Sequence, residues 1–473
     1  MKLHKTPTLM GLAGLAGLTL LAVTHPAFAQ DASSAMSSAA STAASAAPDA
    51  SASASAAAPA APAINSGDTA WMLTSMALVL MMTIPGLGLF YAGMVRKKNV
   101  LATVMQSFAI TCVVTILWFV IGYSNAFQNN DWNNPGAFIG SFAHFFMAGI
   151  NGNSINVAEA PTIPEYVFSA FQMTFAIITP ALICGAFAER LKFSALLIFM
   201  ALWLLFVYDP IAHWVWGHGF LGSLGVLDFA GGTVVHINAG VAGLVCALVL
   251  GKRKGFGTTN MAPHNLTLTY IGASLLWVGW FGFNAGSALA ANGLAGSAMM
   301  NTQVATAAAA LAWMFVEWAV VKKPSVLGIL SGAVAGLVAV TPASGFVNPI
   351  GAFVIGIVAG AVCYYAAAHL KKMIGYDDSL DAFGVHGIGG IIGALLTGFF
   401  ADPDINSAGK GLWFGNPGQV LIQIEGIATT IVWTAVLTWI ILMVVKMLVG
   451  LRPSEMDEEE GLDISQHGES VTE

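Results

Sequence analysis

Asp228-Phe-Ala-Gly-Gly-Thr-Val-Val-His236-Ile-Asn-Ala-Gly240 and Asp381-Ala-Phe-Gly-Val-His386-Gly-Ile-Gly-Gly390 are the two stretches on which the reading of this chain turns. Each sets an Asp at the start of an apolar run and a single His within the next two turns, among small residues. At 1.5 Å per helical residue, His236 lies about 12 Å beyond Asp228 and His386 about 7.5 Å beyond Asp381. Both runs reach membrane-spanning length, near 229–250 and 382–400. Two imidazoles are thus expected at membrane depth, where an ionisable group is costly and points by default to function. Two neutral rings can share one hydrogen bond and leave a nitrogen on each for a substrate. The plainer alternative is a pair of core histidines bonded to backbone carbonyls.

Outward from these runs, further apolar segments lie near 70–94, 100–123, 166–188, 193–212, 265–287, 301–321, 325–343, 347–370 and 418–449, giving eleven spans. Basic residues test that count, because cytoplasmic loops are enriched in Lys and Arg. Of the fifteen Lys and Arg beyond residue 29, fourteen fall on one side, at 96–98, 190–192, 252–254, 322–323, 371–372, 446 and 452; Lys410 alone falls on the other. The N-terminus is therefore expected outside and the C-terminus inside. The first and sixth spans also rhyme, with Phe90-Tyr-Ala-Gly93 beside Phe283-Asn-Ala-Gly286. Both pairs of similar spans are five apart, and an odd offset reverses direction. The pattern predicts an all-α integral membrane protein of eleven transmembrane helices, built as inverted five-helix repeats plus a long eleventh helix.

Composition agrees. Of 473 residues 57% are hydrophobic and only 9% charged, against about 25% charged in soluble domains. Too few charges remain to cover a water-soluble surface, which excludes a cytosolic enzyme and a basic nucleic-acid binder. The four cysteines lie in apolar stretches and read as packing residues. Residues 1–29 have the basic start, apolar run and Ala27-Phe28-Ala29 ending of a cleaved signal peptide. Residues 30–66, nearly all Ala, Ser and Pro, predict a disordered tether, 67–450 the membrane domain, and 451–473 a polar tail lying in water.

Asp228 and Asp381 each precede a helix and read first as N-caps; Asp228 could also favour a cation at the outer entrance. Glu317 and Glu425, near span ends, read as paired or snorkelling. Trp216, in the outer loop, offers a face for cation–π attraction. Phe175 and Phe283, beside Gln172 and Ser287, suit a hydrophobic gate with a hydrogen-bonding group at its mouth, and such constrictions exclude hydrated ions. Trp280 stands close to that gate in sequence. Paired membrane histidines could alternatively ligate haem, but two close helices with Gly-rich turns leave little room for a macrocycle. No nucleotide, zinc or nucleophile motif is present in a plausible context, so neither coupling to ATP, a metal, a cofactor nor an enzymatic reaction is expected.

Several stretches together resemble the ammonium transporter (Amt/Mep/Rh) family, nearest to its bacterial branch with a cleaved signal peptide. They are Thr83-Ile-Pro-Gly-Leu-Gly-Leu-Phe-Tyr-Ala-Gly93, Phe171-Gln-Met-Thr-Phe175, Gly185-Ala-Phe-Ala-Glu-Arg190, Asp228 to Ala239, Gly279-Trp-Phe-Gly-Phe-Asn-Ala-Gly-Ser287, Asp381 to Gly387, and Gly461-Leu-Asp-Ile-Ser-Gln-His-Gly-Glu469. The resemblance implies a homotrimer in the bacterial inner membrane, each subunit with its own pore. It assigns Trp216, Phe175 and Ser287 to an outer ammonium site supported by Asp228, Phe175 and Phe283 to the gate, and His236 with His386 to the pore. Trp280 and Gln172 would stand beside that pore. It also implies ammonium or ammonia as substrate, methylammonium as analogue, and a cytoplasmic PII signal protein as partner. An ammonium sensor signalling through its tail is the alternative function. His218 departs from the family pattern, standing where a small residue is often found, and suggests a vestibule with a different response to pH.

Overall fold

The computed structural model describes residues 62–128 and 138–471. The expected signal peptide, and the tether as far as residue 61, lie outside the described residues. Among the described residues all regular elements are helices. Ten are long and apolar enough to cross a membrane: α1 (Ser66–Met94), α2 (Lys97–Phe127), α3 (Glu165–Phe187), α4 (Phe193–Leu224), α5 (Gly232–Leu250), α6 (Leu266–Gly286), α7 (Gly293–Val321), α9 (Pro349–Ile374), α10 (Phe383–Phe400) and α11 (Gly418–Val449). Between α7 and α9 lies the shorter apolar helix α8 (Val326–Val340). The protein is an all-helical, multi-pass membrane protein.

Caps move two of the expected boundaries. The Asn65 side chain accepts from Gly67 N and Asp68 N at 2.8 and 3.1 Å, so α1 begins inside the stretch expected to be tether. Asn292 does the same for Leu294 N and Ala295 N, starting α7 several residues before the apolar run at 301. Asn is among the strongest N-cap residues, because its oxygen satisfies orphan N–H groups of the first turn. Three cysteines pack as expected, but Cys112 is exposed on the surface of α2.

The helices paired by the sequence repeat pack against each other, α1 along α6 and α5 along α10. Both contacts run through glycine. A Cβ at Gly272 of α6 would lie 2.2 Å from Phe90 N of α1, and a Cβ at Gly240 of α5 would lie 2.2 Å from Gly387 N of α10. Only backbones without side chains approach this closely, as small residues allow in membrane helix contacts. The two histidine-bearing helices also open alike, each with a wide π-helical turn, Gly232–Ile237 and Phe383–Gly387. Such turns insert an extra residue and re-aim the side chains around them.

α8 has 15 residues, a rise of about 22 Å against a hydrocarbon core of about 30 Å. The remaining depth is crossed by the buried turn 341–347. Non-helical backbone at that depth is tolerated only where protein satisfies it. Asn301 of α7 does so, its Nδ2 donating to Ser344 O at 2.8 Å and Val347 O at 2.6 Å.

The polar tail does not lie free in water. It forms α12 (Glu455–Glu460) and α13 (Leu462–His467), with Leu462, Asp463 and Glu458 buried. The Asp463 carboxylate accepts from Leu101 N and Ala102 N at 3.1 and 2.8 Å, capping the α-helical part of α2 from a distant segment. Arg452 pairs with Glu458 at 2.6 Å, and Asn99 Oδ1 accepts from Leu462 N. These polar partners, unlike an apolar stripe, leave no periodic trace in a short acidic sequence. Beside the tail, Glu189 is held by Arg96 at 2.7 Å and Arg253 at 3.5 Å, and Arg253 also pairs with Asp377 at 2.8 Å. Burial alone would raise the Glu189 carboxyl, but Arg96 and Arg253 hold it below the ordinary carboxylate range.

Two outcomes follow from these contacts. Gly240→Leu drives a side chain into α10, a cost of at least about 1–3 kcal/mol, and should lower the unfolding temperature of the purified protein well below that of a Gly152→Ala control, where an added Cβ meets nothing within 4 Å. Asp463→Ala removes a cap worth about 0.5–2 kcal/mol and should make limited proteolysis cleave the segment after Arg452 sooner than in wild type.

Candidate functional site

The Gly240–Gly387 contact brings His236 and His386 together. Their Nδ1 atoms are 3.4 Å apart, with ring centroids at 5.4 Å and planes inclined by 22°. Both rings are buried, 1% and 4% exposed. One Nδ1 must donate and the other accept for the pair to share a proton. Neither ring is bonded to a backbone carbonyl within the described contacts, and His236 Nε2 has no protein partner. The 3.4 Å separation leaves no room for a haem between the rings.

A file of rings leads to this pair. Phe283 and Trp280 stack on His236 with centroids at 6.0 and 5.4 Å. Phe175 lies 4.3 Å from Phe283, and Trp216 stands edge-on to Phe175 at 5.7 Å. Trp280 is fixed by donating Nε1–H to Thr341 Oγ1 at 2.9 Å, from the buried turn after α8. Trp216 donates its indole N–H to Asp228 O at 2.9 Å, so its orientation is set by the segment that starts α5.

Two cavities flank the file. The larger of the two, about 230 Å³, is lined by Gln172, Phe175, Trp216, Ser287 and Glu159 among others. Its floor is Phe175. The Gln172 side-chain oxygen is buried with no protein partner, and Ser287 donates to Phe283 O at 2.9 Å. The smaller cavity, about 30 Å³, ends on His386 and is lined by Phe90, Tyr91, Ser331 and Asp381 among others. Phe283 and His236 lie between the cavities. The arrangement offers acceptor oxygens and aromatic faces in the larger cavity, an apolar constriction, then two ring nitrogens.

Asp228 stands apart from the cavity. Its carboxylate accepts from Gly231, Gly232, Thr233 and Val234 N at 2.6–3.2 Å, and from the Thr233 hydroxyl. All its capacity goes to the start of α5, which is the capping geometry. Its counterpart differs from expectation. Asp381 has φ +60°, whereas an N-cap takes extended backbone. The cap of α10 is instead Asp378, which accepts from Ala382 N and Phe383 N at 3.1 and 2.7 Å, while Asp381 pairs with Lys371. Burial, and next the neighbouring Asp381, push the Asp378 carboxyl up to about 6. Glu317 accepts from Ser325 N and Oγ, closing the turn from α7 to α8, and Glu425 is exposed. Thr341, Ser331 and Glu159 lie outside every stretch that stands out in the sequence, and only the fold brings them to the file or its cavities.

A profile of the Ammonium Transporter Family matches residues 70–472. The chain belongs to that family. An ammonium transporter of Aquifex aeolicus is 54% identical over 409 residues, covering 86% of this chain and 94% of the relative. The crystal structure of Saccharomyces cerevisiae Mep2 superposes with a TM-score of 0.77 at 36% identity, covering 83% of this chain and 88% of that one. A structure titled Sensor Amt Protein gives a TM-score of 0.77 at 29% identity, covering 85% and 98%. The family is one of transporters rather than enzymes.

Proposed function

We propose that this protein carries ammonium across the membrane through the file of rings. The observation that carries the reading is the unbroken sequence Trp216, Phe175, Phe283, His236, His386, running from a cavity with free acceptors to a second one beyond the imidazoles. Ammonium is gathered in the outer cavity by the Trp216 face and the Gln172 and Ser287 oxygens, while Asp228 shapes that site from within α5. A bare cation at the bilayer centre costs at least about 2.5–3.5 kcal/mol, and a neutral amine far less. The Phe175–Phe283 constriction therefore admits the nitrogen after it sheds a proton, and ammonia passes along the paired imidazoles. The lone basic Lys410 against fourteen Lys and Arg on the other side supports an N-terminus outside and a tail in the cytoplasm, and the family resemblance implies a bacterial inner membrane. A cleaved leader over 1–29 and a tether ending before Asn65 belong to the same reading. So do a homotrimer with one pore per subunit and a PII signal protein docking at the tail end.

The docked tail and the 29% identity to the Sensor Amt Protein favour a second reading, in which flux is small and the tail reports ammonium. Uptake of labelled methylammonium by transport-deficient cells separates the two, since a sensor restores none.

His236→Ala and His386→Ala should each cut methylammonium flux at least about ten-fold, a barrier raised by about 1.4 kcal/mol, or let potassium compete; unchanged flux and selectivity would leave the pair as packing. Trp216→Ala should raise the half-saturating concentration about two- to thirty-fold, the range of a cation–π contact, with less effect on maximal rate. Flux and current recorded together in vesicles then trace the proton: current means that charge crosses with the nitrogen, and flux without current means that the proton stays outside.

A further inference from the structure

The outer cavity contains a carboxylate that the file of rings does not use. Glu159 lines it, on the loop before α3, with its side chain 13% exposed. That loop is pinned: Ala160 and Ile163 are buried, Ala160 N donates to Asn156 O, and Asn65 N donates to Thr162 O. Across the mouth, His218 Nε2 stands 3.0 Å from Glu159 Oε1. The turn that presents His218 has no freedom to place it elsewhere. Cβ atoms at Gly217 and Gly219 would lie 2.0 Å from Ala126 O and 2.4 Å from Trp214 Cα. Between these glycines His218 itself holds φ +62°, a left-handed conformation in which a non-glycine residue is uncommon.

We infer that Glu159 is a cation-binding carboxylate of the outer site and that His218 is its built-in competitor, so that outside pH sets the affinity for ammonium. The inference rests on the outer cavity being the recruitment site. Among the described residues, the neighbouring ionisable groups are otherwise engaged. Asp228 is spent on α5, and Glu165 accepts from Tyr123 and Gln128. His213 turns Nδ1 to Ala126 O, His144 turns Nδ1 to Ala148 O, and Asp209 is buried against Asn125. A protonated His218 pairs with the Glu159 carboxylate and cancels its charge, so that the pair no longer attracts a cation. The neutral imidazole leaves the carboxylate to a small ammonium ion, next to the unpartnered Gln172 oxygen. Histidine is the side chain whose ordinary titration falls between pH 5 and 8, where ammonium and methylammonium remain protonated.

The experiment measures half-saturation and maximal rate of methylammonium uptake from about pH 5.5 to about 7.5 outside. Wild type should tighten about two- to five-fold as pH rises, the size of one partly exposed charge interaction. His218→Gly, which relaxes the backbone, should be tight at both ends of the range. Glu159→Gln, which keeps the shape, should be weak at both ends, and the double variant should match Glu159→Gln. A flat wild-type profile, a slope that survives His218→Gly, or an unaltered half-saturation in Glu159→Gln would overturn the inference. Trp216→Ala run alongside distinguishes the failures. If it weakens uptake while the Glu159 and His218 variants do not, only this inference falls; if it too changes nothing, the recruitment site falls with it.

Discussion

The meeting of α5 and α10 at Gly240 and Gly387 is the constraint on which the rest of the site depends. A contact with no side chain between the backbones fixes the separation of the helices, and the wide turns at their starts then aim one imidazole from each at the other. Neither ring could be buried so deeply alone without an unmet polar atom on every side. Together they satisfy one nitrogen each, and Trp280 and Phe283 of α6 stack on His236. Packing on three helices thus offsets much of the cost of ring burial, with His236 Nε2 left unpartnered, and ties the ring pair to the repeat.

Asp228 and Thr341 extend that dependence outward. Asp228 orders the first turn of α5 and, through its carbonyl, holds the Trp216 indole; Thr341 holds Trp280. Both act on the file without entering it. The cavity on the far side of His386 is smaller and carries Asp381 with its Lys371 partner, so charge reappears as soon as the apolar stretch ends. The membrane depth in between is left to rings.

Hydropathy and the one-sided distribution of Lys and Arg made the helices legible, and the two Asp-to-His stretches made the repeat and its imidazoles legible. These signals are local or strictly periodic. What escaped was long-range or conformational. Asp381 looks like Asp228 in sequence, but its left-handed backbone hands the capping role to Asp378 three residues earlier. The tail reads as solvated because its acidic residues find partners on α2 and on Arg452, hundreds of residues away or in a short turn. Glu159 sits in a loop with no pattern of its own, and only the fold carries it to His218. The early starts of α1 and α7 depend on single asparagine caps, which hydropathy does not weigh.

The stretch after α8 has a consequence of its own. Where a longer helix would have closed its own ladder, a single amide nitrogen of Asn301 serves two carbonyls in its place. Exchanging that nitrogen for oxygen, one heavy atom in the whole protein, would set like dipoles facing one another in a region without solvent to separate them. That side-chain amide shares the crossing with two backbone donors, Phe229 N on Pro342 O and Asp402 N on Phe346 O, and the same turn carries the Thr341 hydroxyl that steadies the indole beside the imidazoles.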